Sequence, residues 1–192
     1  MPYLILLFSA YTIGSIPSAY IFGRIFGKID IRSAGSGNVG GMNAYRVAGL
    51  TPGILTVITD IAKGILVVAI AQSFTSDLLV VLACAFFAVA GHNYSIFIGF
   101  KGGKGLATAL GVFLILSPFT IIYLLLFTFT LLVLMRDTNT AFGSSVVLLP
   151  IILAIQYSEI TWILFGLALA VIITAKHLND FRAYRQGRRK IK

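Results

Sequence analysis

The chain has 192 residues, of which 58% are hydrophobic and only 11% are charged, and its mean hydropathy is +0.98. A soluble domain of this size needs more polar surface than the sequence supplies, so the composition predicts a protein embedded in a membrane. The formal net charge of +9 requires no nucleic-acid partner, because the basic residues follow a membrane-orientation pattern.

Apolar segments of near-spanning length follow one another along the chain. In order, we predict helices at about residues 4–22, 54–74, 78–100, 105–117, 118–135, 141–157 and 160–176. The fourth is the shortest and is expected to begin inside the membrane from a re-entrant loop. The sequence therefore predicts an all-α integral membrane protein with about seven transmembrane helices, folded as one domain over residues 1–192 with a basic tail at about 178–192.

The basic residues fall on one side of this arrangement. With seven spans, the loops and tail on that side carry Arg24, Lys28, Arg32, Arg46, Lys101, Lys104, Arg136, Lys176, Arg182, Arg185, Arg188, Arg189, Lys190 and Lys192. The opposite side carries Asp77 and Glu159 and no basic residue. By the positive-inside rule, this asymmetry predicts an N-terminus outside and a C-terminus in the cytoplasm.

Two glycine-rich runs interrupt the apolar sequence on the predicted cytoplasmic side. They are residues 35–41 (GSGNVGG) and residues 101–105 (KGGKG). Glycine permits positive φ and close approach of the backbone, and backbone N–H groups beside Ser, Asn or Lys bind anions. The helix predicted after Gly105 adds the positive end of its dipole. The two runs therefore predict a site for one or two phosphate groups at the membrane surface.

Three polar clusters hold the candidate site residues, and helix bundling is expected to bring them together. The first cluster comprises Gly35, Ser36, Gly37, Asn38, Gly40, Asn43 and Arg46. The second comprises His92, Lys101, Gly102, Gly103, Lys104, Gly105 and Thr108. The third contains His177 and Asp180. Lysine and arginine supply charge for phosphate, while serine and asparagine supply donors.

Asp60 and Lys63 lie three residues apart on one face of the second predicted helix. Ionisable side chains inside a membrane are functional candidates. They equally fit a structural reading, in which the two neutralise each other or pair with Arg46 to hold the loop.

The chain contains no H-E-x-x-H motif, no cysteine–histidine metal set and no G-x-S-x-G motif. Its cytoplasmic layer has too few carboxylates for a pair of magnesium ions. We therefore expect no metal and no cofactor. We also expect a reaction in which a phosphate group either serves only to bind the substrate to the enzyme or departs as the leaving group.

Two other function classes stay open from the residues alone. A small transporter or channel for an organic phosphate or anion predicts a polar path through the bundle. The outer halves of the spans offer few polar side chains beyond Gln72, Ser73, Thr75 and Thr120. A lipid-binding scaffold fits the basic tail but leaves the lysine- and glycine-rich run unexplained.

The chain resembles the bacterial acyl-phosphate:glycerol-3-phosphate acyltransferase family nearly from end to end. The matching residues are 14–17, 30–32, 35–40, Asn43, Arg46, 60–64, 91–92 and 100–108. Three places depart from the family pattern. Residues 41–42 replace Ala-Thr, Ser95 replaces a proline, and Asp180 replaces an asparagine three residues after His177, with the arginines that follow shifted.

The resemblance implies transfer of a fatty acyl group from acyl phosphate to the 1-hydroxyl of glycerol 3-phosphate, giving lysophosphatidic acid and phosphate for phospholipid biosynthesis. It implies a multi-pass protein of the bacterial inner membrane with its active site facing the cytoplasm. Its implied partners are both substrates, the bilayer and, by functional coupling, the enzyme that makes acyl phosphate.

The same resemblance implies roles for individual residues. Ser36, Gly37, Asn38 and residues 102–104 are implied to stabilise phosphate and the oxyanion, and Arg46 to bind the acceptor phosphate. His177 is the implied catalytic base, with a phosphate oxygen of the substrate as the alternative proton acceptor.

Overall fold

The computed structural model describes residues 2–187, and in that range it contains ten α-helices, three short 3₁₀ helices and no β-strand. The α-helices are α1 (Pro2–Gly14), α2 (Ser18–Gly27), α3 (Gly41–Ala48), α4 (Leu50–Phe74), α5 (Leu78–Asn93), α6 (Leu106–Leu116), α7 (Pro118–Met135), α8 (Thr138–Ser145), α9 (Leu149–Gln156) and α10 (Ile160–Arg185). The 3₁₀ helices are Ile31–Ser33, Ile96–Ile98 and Val146–Leu148. The predicted all-α class is confirmed. The tail residues Arg188, Arg189, Lys190 and Lys192 lie outside the described residues.

Six segments within the described range are long and apolar enough to cross a membrane. They are Tyr3–Gly27, Leu50–Phe74, Leu78–Ile98, Pro118–Met135, Thr138–Gln156 and Ile160–Arg185. A seventh apolar helix, α6, has 11 residues and is about 16 Å long, roughly half the hydrocarbon thickness of a bilayer. The predicted count of about seven therefore agrees with the structure, while the predicted orientation stays a prediction.

The first predicted span, residues 4–22, is wrong as a single helix. Helix α1 ends at Gly14 and α2 begins at Ser18, so three residues, Ser15 to Pro17, form a break. Pro17 has no N–H to donate and its ring collides with the carbonyl one turn earlier, which explains why the helix stops there. We call Ser15–Pro17 the helix break. It leaves backbone carbonyls that need other hydrogen-bond donors.

The chain divides into two compact units, Met1–Leu116 and Ser117–Lys192. In the first unit, glycines allow close contact between helix pairs. A Cβ on Gly14 of α1 would overlap the backbone of Ala88 on α5, and one on Gly64 of α4 would overlap the backbone of Thr108 on α6. Small residues are a common means of packing helices in membranes. The predicted single domain stays a prediction.

The loop between α2 and α4 folds over a small apolar core. Its buried members are Ala19, Ile31, Val39, Ala44 and Ile98. They come from α2, two 3₁₀ helices, the loop itself and α3, an eight-residue helix that the hydropathy pattern does not predict. This core fixes the position of the first glycine-rich run.

The second unit contains α7 to α10. Ser117 Oγ, Thr120 Oγ1, Gln156 and Tyr157 form a polar cluster at one end of α7 and α9. Helix α10 continues to Arg185, beyond the predicted end at residue 176. In residues 177–185, His177 and Asp180 lie three positions apart and are both buried, as expected for one face of a helix. The helix therefore extends beyond the apolar segment from which its end is predicted. Basic side chains in its last turn favour that end of the helix dipole.

Candidate functional site

The first glycine-rich run is shaped by one side chain, Asn43 of α3. Its Nδ2 lies 3.1 Å from the Ile31 and Ala34 carbonyl oxygens and 3.0 Å from that of Asn38, while its Oδ1 accepts the Ser36 N–H at 2.9 Å. Asn43 is 2% exposed. The amide therefore ties the first half of the run, and the residues just before it, to α3. Because the side-chain amide of Asn43 is engaged with backbone groups, these bonds support a role for Asn43 in shaping the run, in place of the predicted contact with substrate.

The entry to this run is clamped by Asp30. Its carboxylate accepts hydrogen bonds from Arg24 (2.9 Å) and from two nitrogens of Arg32 (2.7 and 3.0 Å), and it caps the Ile31–Ser33 helix through the Arg32 N–H. Both guanidinium groups lie over the Tyr20 ring. The hydrogen bonds from Arg32 hold the pKa of the Asp30 carboxyl well below its usual range, and the same contact raises the pKa of Arg32.

The second glycine-rich run is held by main-chain atoms at the end of α5. The Gly102 N–H donates to the Asn93 carbonyl at 3.1 Å, and the Gly103 N–H donates to the His92 carbonyl at 3.0 Å. The last carbonyls of a helix lack partners within it, so these glycine amides satisfy two of them. A Cβ at residue 102 would overlap the His92 carbonyl oxygen. Glycine is thus required here for close approach.

Five backbone amides of the two runs have acceptors within the protein. The N–H groups of Ser36, Gly37 and Asn38 bind the Asn43 side chain, the Ala34 carbonyl and the Ser36 hydroxyl, respectively, the last over 3.4 Å. Those of Gly102 and Gly103 bind the end of α5. These five amides therefore do not point unoccupied donors at a ligand, while the phosphate site predicted for the two runs stays a prediction.

The two runs meet, as the sequence predicted for the first two polar clusters. A Cβ on Gly103 would lie 2.6 Å from the Val39 carbonyl oxygen and would overlap the His92 ring. Val39 adjoins two candidates, Asn38 and Gly40, and Gly103 adjoins Lys104. Beside this contact is a cavity of about 10 Å³, the space of about one water molecule. Its lining comprises Ser15, Ile16, Pro17, Ser18, Val39, His92, Ser95, Ile98, Gly102 and Gly103.

A buried charge cluster supports the same region from within the membrane span. Asp60 Oδ1 lies 2.9 Å from Lys63 Nζ and 3.4 Å from His92 Nδ1, and it accepts a hydrogen bond from the Ser18 hydroxyl. Lys63 also donates to the Ile16 carbonyl at 3.1 Å. The predicted mutual pairing of Asp60 and Lys63 is confirmed. Their further partners are the helix break and His92, in place of Arg46, the partner that the sequence analysis considers.

The helix break has a second donor from another element. The Ser95 hydroxyl donates to the Ser15 carbonyl, and Ser95 is 1% exposed. Ser95 is one of the three departures from the family pattern. It joins the segment after α5 to the end of α1.

The predicted cations of the first unit differ in exposure. Arg46 on α3 and Lys101 are exposed, and Lys104 is half-buried. Gly105 has a φ of +85° directly before α6 and is buried. Thr108 is fully buried within the first unit, which does not support its predicted contact with substrate, since a ligand reaches only accessible atoms.

The third predicted cluster lies in the second unit. His177 has no exposed surface; its Nδ1 lies 2.9 Å from the Ile173 carbonyl oxygen, and its ring packs on Gly143 of α8. Asp180 is also buried, at 5% exposure. A catalytic base must reach the hydroxyl that it deprotonates. Full burial therefore speaks against the predicted role of His177 as that base, and the predicted substrate contact of Asp180 has no exposed surface to support it.

An apolar groove begins where the first glycine-rich run ends. It has a volume of about 270 Å³ and lies between α3 and the first turns of α4. Its lining comprises Gly41, Met42, Tyr45, Leu50, Gly53, Ile54, Val57 and Ile58. A polar run and a long apolar groove thus adjoin at Gly40 and Gly41.

The sequence analysis does not predict the serines at the cavity as site residues. Ser15, Ser18 and Ser95 line it, but serine is common in membrane helices and gave no periodic signal. A usable signal was Pro17 in the middle of an apolar segment, since proline breaks helices and exposes polar backbone. In residues 2–187, no group of three or more His, Cys, Asp or Glu side chains is placed to hold a metal ion.

Known proteins resemble this chain over nearly its whole length. The sequence profile of the family described as glycerol-3-phosphate acyltransferase matches residues 4–187. Glycerol-3-phosphate acyltransferase 2 of Dehalococcoides mccartyi (strain CBDB1) is 41% identical over 170 residues, 88% of this chain and 80% of the relative. Glycerol-3-phosphate acyltransferase of Geotalea daltonii is 37% identical over 185 residues, 96% of this chain and 94% of the relative.

A solved structure agrees with the fold as well. The crystal structure of PlsY (YgiH), an integral membrane glycerol 3-phosphate acyltransferase, in its glycerol 3-phosphate form, superposes with a TM-score of 0.90. The match is 29% identical and covers 100% of this chain and 96% of the other.

Proposed function

Because the chain belongs to the glycerol-3-phosphate acyltransferase family, we propose that it transfers a fatty acyl group from acyl phosphate to the 1-hydroxyl of glycerol 3-phosphate. Membership makes it an integral membrane acyltransferase of phospholipid biosynthesis with glycerol 3-phosphate as its acceptor. The acyl phosphate donor, the residue roles and the side of the membrane are the proposed parts.

One observation carries the proposal of the site: the contact of the two glycine-rich runs at Val39 and Gly103. It brings Ser36 and Asn38 of one run into the same region as Lys101 and Lys104 of the other. The apolar groove starts at the end of the first run. A ligand with a phosphate head and a fatty chain matches this pairing of a polar surface with an apolar groove, because each part finds a surface of its own polarity.

The proposed reaction needs no covalent enzyme intermediate. The 1-hydroxyl oxygen of glycerol 3-phosphate attacks the carbonyl carbon of the acyl phosphate and forms the ester bond. The bond between that carbon and the phosphate oxygen then breaks, and phosphate leaves. The hydroxyl proton ends on a phosphate oxygen. Acyl phosphates are already activated, so catalysis consists mainly of bringing the substrates together and stabilising the developing negative charge.

Side chains carry the proposed roles. Lys104 and Lys101 bind the donor phosphate, and Arg46, exposed on α3, binds the acceptor phosphate. The Ser36 hydroxyl, exposed on the first run, donates to the oxyanion. Burial of His177 favours the alternative proton acceptor, a phosphate oxygen of the substrate. The glycines of both runs permit the close approach that these side chains need.

We place the site on the cytoplasmic face of a bacterial inner membrane. The support is the charge distribution: the loops and tail on one predicted side carry the basic residues, which stay on the cytoplasmic side of bacterial membrane proteins. Glycerol 3-phosphate and the enzyme that makes acyl phosphate then lie on the same side of the membrane as the site. The acyl phosphate donor reaches the site along that membrane surface, with its fatty chain in the bilayer.

The test of the donor uses purified protein in detergent with palmitoyl phosphate and glycerol 3-phosphate. We expect release of inorganic phosphate that requires both substrates and is matched by lysophosphatidic acid. A parallel reaction replaces palmitoyl phosphate with palmitoyl-CoA and should give no product. If product forms with palmitoyl-CoA and not with palmitoyl phosphate, the proposed donor is wrong, while glycerol 3-phosphate remains the acceptor.

The test of the site uses Lys104→Ala. We expect a fall in kcat/KM of about 100-fold or more with an unchanged melting temperature, because a cation at the reacting phosphate contributes most in the transition state. Lys28→Asn is the matched control. Lys28 is exposed at the end of α2 with a φ of 51°, a conformation that asparagine tolerates. A Lys104→Ala enzyme with near-normal turnover would remove this lysine from the reaction.

A further inference from the structure

We propose that Asp60 is a positioning residue that acts through the His92 ring to hold the Gly102–Gly103 turn, and with it Lys104, in the catalytic arrangement. The inference rests on the role of Lys104 proposed above. Asp60 is a carboxylate buried in a membrane span. The sequence alone is equally consistent with a functional role and with a salt bridge that only stabilises the fold.

The first step of the argument is the set of contacts at one oxygen. Asp60 is 1% exposed, and its Oδ1 faces Lys63, Ser18 and His92. The salt bridge to Lys63, three residues along α4, already neutralises the carboxylate locally. Ser18 lies at the start of α2. Of the three partners, His92 is the one that also touches a glycine-rich run.

The second step is the placement of the His92 ring. Its Nδ1 lies 3.4 Å from Asp60 Oδ1. Its Nε2 lies on the side of Gly103, where an added Cβ would overlap it. The His92 carbonyl oxygen accepts the Gly103 N–H. The ring is thus packed between the carboxylate and the turn, and 6% of the residue is exposed. Any rotation of the ring away from Asp60 changes the room available to Gly103.

The third step is that Gly103 directly precedes Lys104. The turn has two main-chain hydrogen bonds and contacts the Val39 carbonyl, so it has little freedom while the His92 ring stays in place. A shift of about 1 Å at a reacting group costs on the order of 100-fold in rate. Loss of the Asp60 contact is therefore expected to appear in catalysis before it appears in the fold.

The competing explanation is that Asp60 and Lys63 only compensate each other's charge and hold the helix break. Asp60→Asn alone does not separate the two, because it leaves Lys63 buried without its counterion and keeps an oxygen that can accept from His92. The double variant Asp60→Leu/Lys63→Met removes both charges and both carboxylate oxygens at nearly unchanged side-chain size. Lys63→Met alone loses the same bond to the Ile16 carbonyl but keeps Asp60. Charge compensation therefore predicts that the double variant is at least as active as Lys63→Met.

Positioning predicts a different result for the double variant. We expect a melting temperature within about 3 °C of that of Lys63→Met and a kcat/KM about 100-fold below that of Lys63→Met. Hydrogen exchange, followed by mass spectrometry on peptides containing Gly102 and Gly103, should quicken by about tenfold at those amides. Thr56→Val is the matched control: Thr56 is buried one turn earlier on α4 and donates to the Pro52 carbonyl. It should leave both readouts unchanged.

The route through His92 is tested with His92→Ala, alone and added to the double variant. If Asp60 acts through the ring, the two losses do not add, and the triple variant is as active as His92→Ala. Losses that multiply to about 10,000-fold would show independent action and overturn the proposal. Wild-type exchange at Gly102 and Gly103 in His92→Ala would overturn it as well, and this outcome decides the matter should the double variant not fold.

Failure of the proposed donor is distinguishable from failure of this inference. The exchange measurement uses no substrate. The kinetic comparison is made with whichever donor the wild-type protein accepts, palmitoyl phosphate or palmitoyl-CoA. A wild-type protein that rejects palmitoyl phosphate therefore refutes the donor and leaves the Asp60 test intact.

Discussion

The two glycine-rich runs meet at Val39 and Gly103, yet they are held by different means. The first run, residues 35–41, is shaped by one side chain, because the Asn43 amide binds the Ser36 N–H and the Asn38 carbonyl of the run and two carbonyls just before it. The second run, residues 101–105, is held by main-chain bonds to the end of α5. Its own side chains play no part in those bonds.

The two runs should therefore respond differently to substitution. Glycines are confined in both: a Cβ on Gly35 would overlap Asn43 Oδ1, and one on Gly103 would overlap the His92 ring. The first run also depends on the chemistry of a side chain outside it, that of Asn43, whereas the second is held by main-chain bonds. The comparison teaches that the first run can be disrupted by removing a side chain and the second by adding one.

The largest effect is expected for Gly103→Ala. The new methyl group would overlap the His92 ring and lie 2.6 Å from the Val39 carbonyl oxygen. Overpacking of this kind costs about 1–3 kcal/mol, and displacement of Lys104 should lower kcat/KM by at least about 100-fold. Gly23→Ala is the control, because the nearest atom to its new Cβ is 3.5 Å away. Comparable activity in the two variants would contradict the main-chain account of the second run.

A smaller but still large effect is expected for Asn43→Ala. Removal of the amide frees the Ser36 N–H and three carbonyls, and kcat/KM should fall about 30-fold, with a lower melting temperature. Asn43→Asp sharpens the test, because it has the same shape but cannot donate to the three carbonyls. It should be at least as damaging. Gln72→Ala, an exposed amide near the end of α4, is the control. A wild-type kcat/KM in Asn43→Asp would contradict the view that the first run depends on the Asn43 amide.

An intermediate effect is expected for Ser36→Ala. Its hydroxyl is exposed and accepts only a long bond of 3.4 Å from the Asn38 N–H, so the shape of the run should survive. Loss of one donor to the reacting group should lower kcat about tenfold, with the melting temperature unchanged. A drop in stability together with activity would instead place Ser36 beside Asn43 as a shaping residue.

The smallest effect is expected for Asp30→Asn, at the entry to the first run. Its ion pairs with Arg24 and Arg32 are partly exposed, and such pairs contribute little, so kcat/KM should fall about two- to threefold. The lowered pKa of Asp30 stabilises the loop above the ordinary carboxyl pKa, and this contribution is lost only as pH falls through the lowered value. Asp30 should therefore cause no change between pH 5 and 8. A pH-dependent difference between wild type and Asp30→Asn within that window would contradict this assignment.

Much of this architecture could be predicted from the sequence. Hydropathy gives the helical membrane class and the approximate number of spans, because apolar length is a one-dimensional property. The interruption of apolar segments by glycine and lysine gives the region of the site. The pairing of Asp60 with Lys63 follows from their spacing on one helix. Each of these depends on neighbours along the chain.

What could not be predicted depends on neighbours in space. The residues Asn43 and His177 look like ligands in the sequence, because their polar groups suit a substrate as well as a backbone carbonyl. Only the fold shows that one braces a loop and that the other packs on Gly143. The same holds for the Gly102 and Gly103 amides, because their acceptors at the end of α5 lie about ten residues away along the chain.

The Ser95 hydroxyl has a consequence for how the helix break survives inside a membrane. It donates to the Ser15 carbonyl at the break, and Lys63 donates to the next carbonyl, that of Ile16. Lipid offers no donor to a freed carbonyl, so the break is solvated by side chains of the protein itself. Proline has neither a hydroxyl nor an N–H, so Ser95→Pro would leave the buried Ser15 carbonyl without this internal solvation.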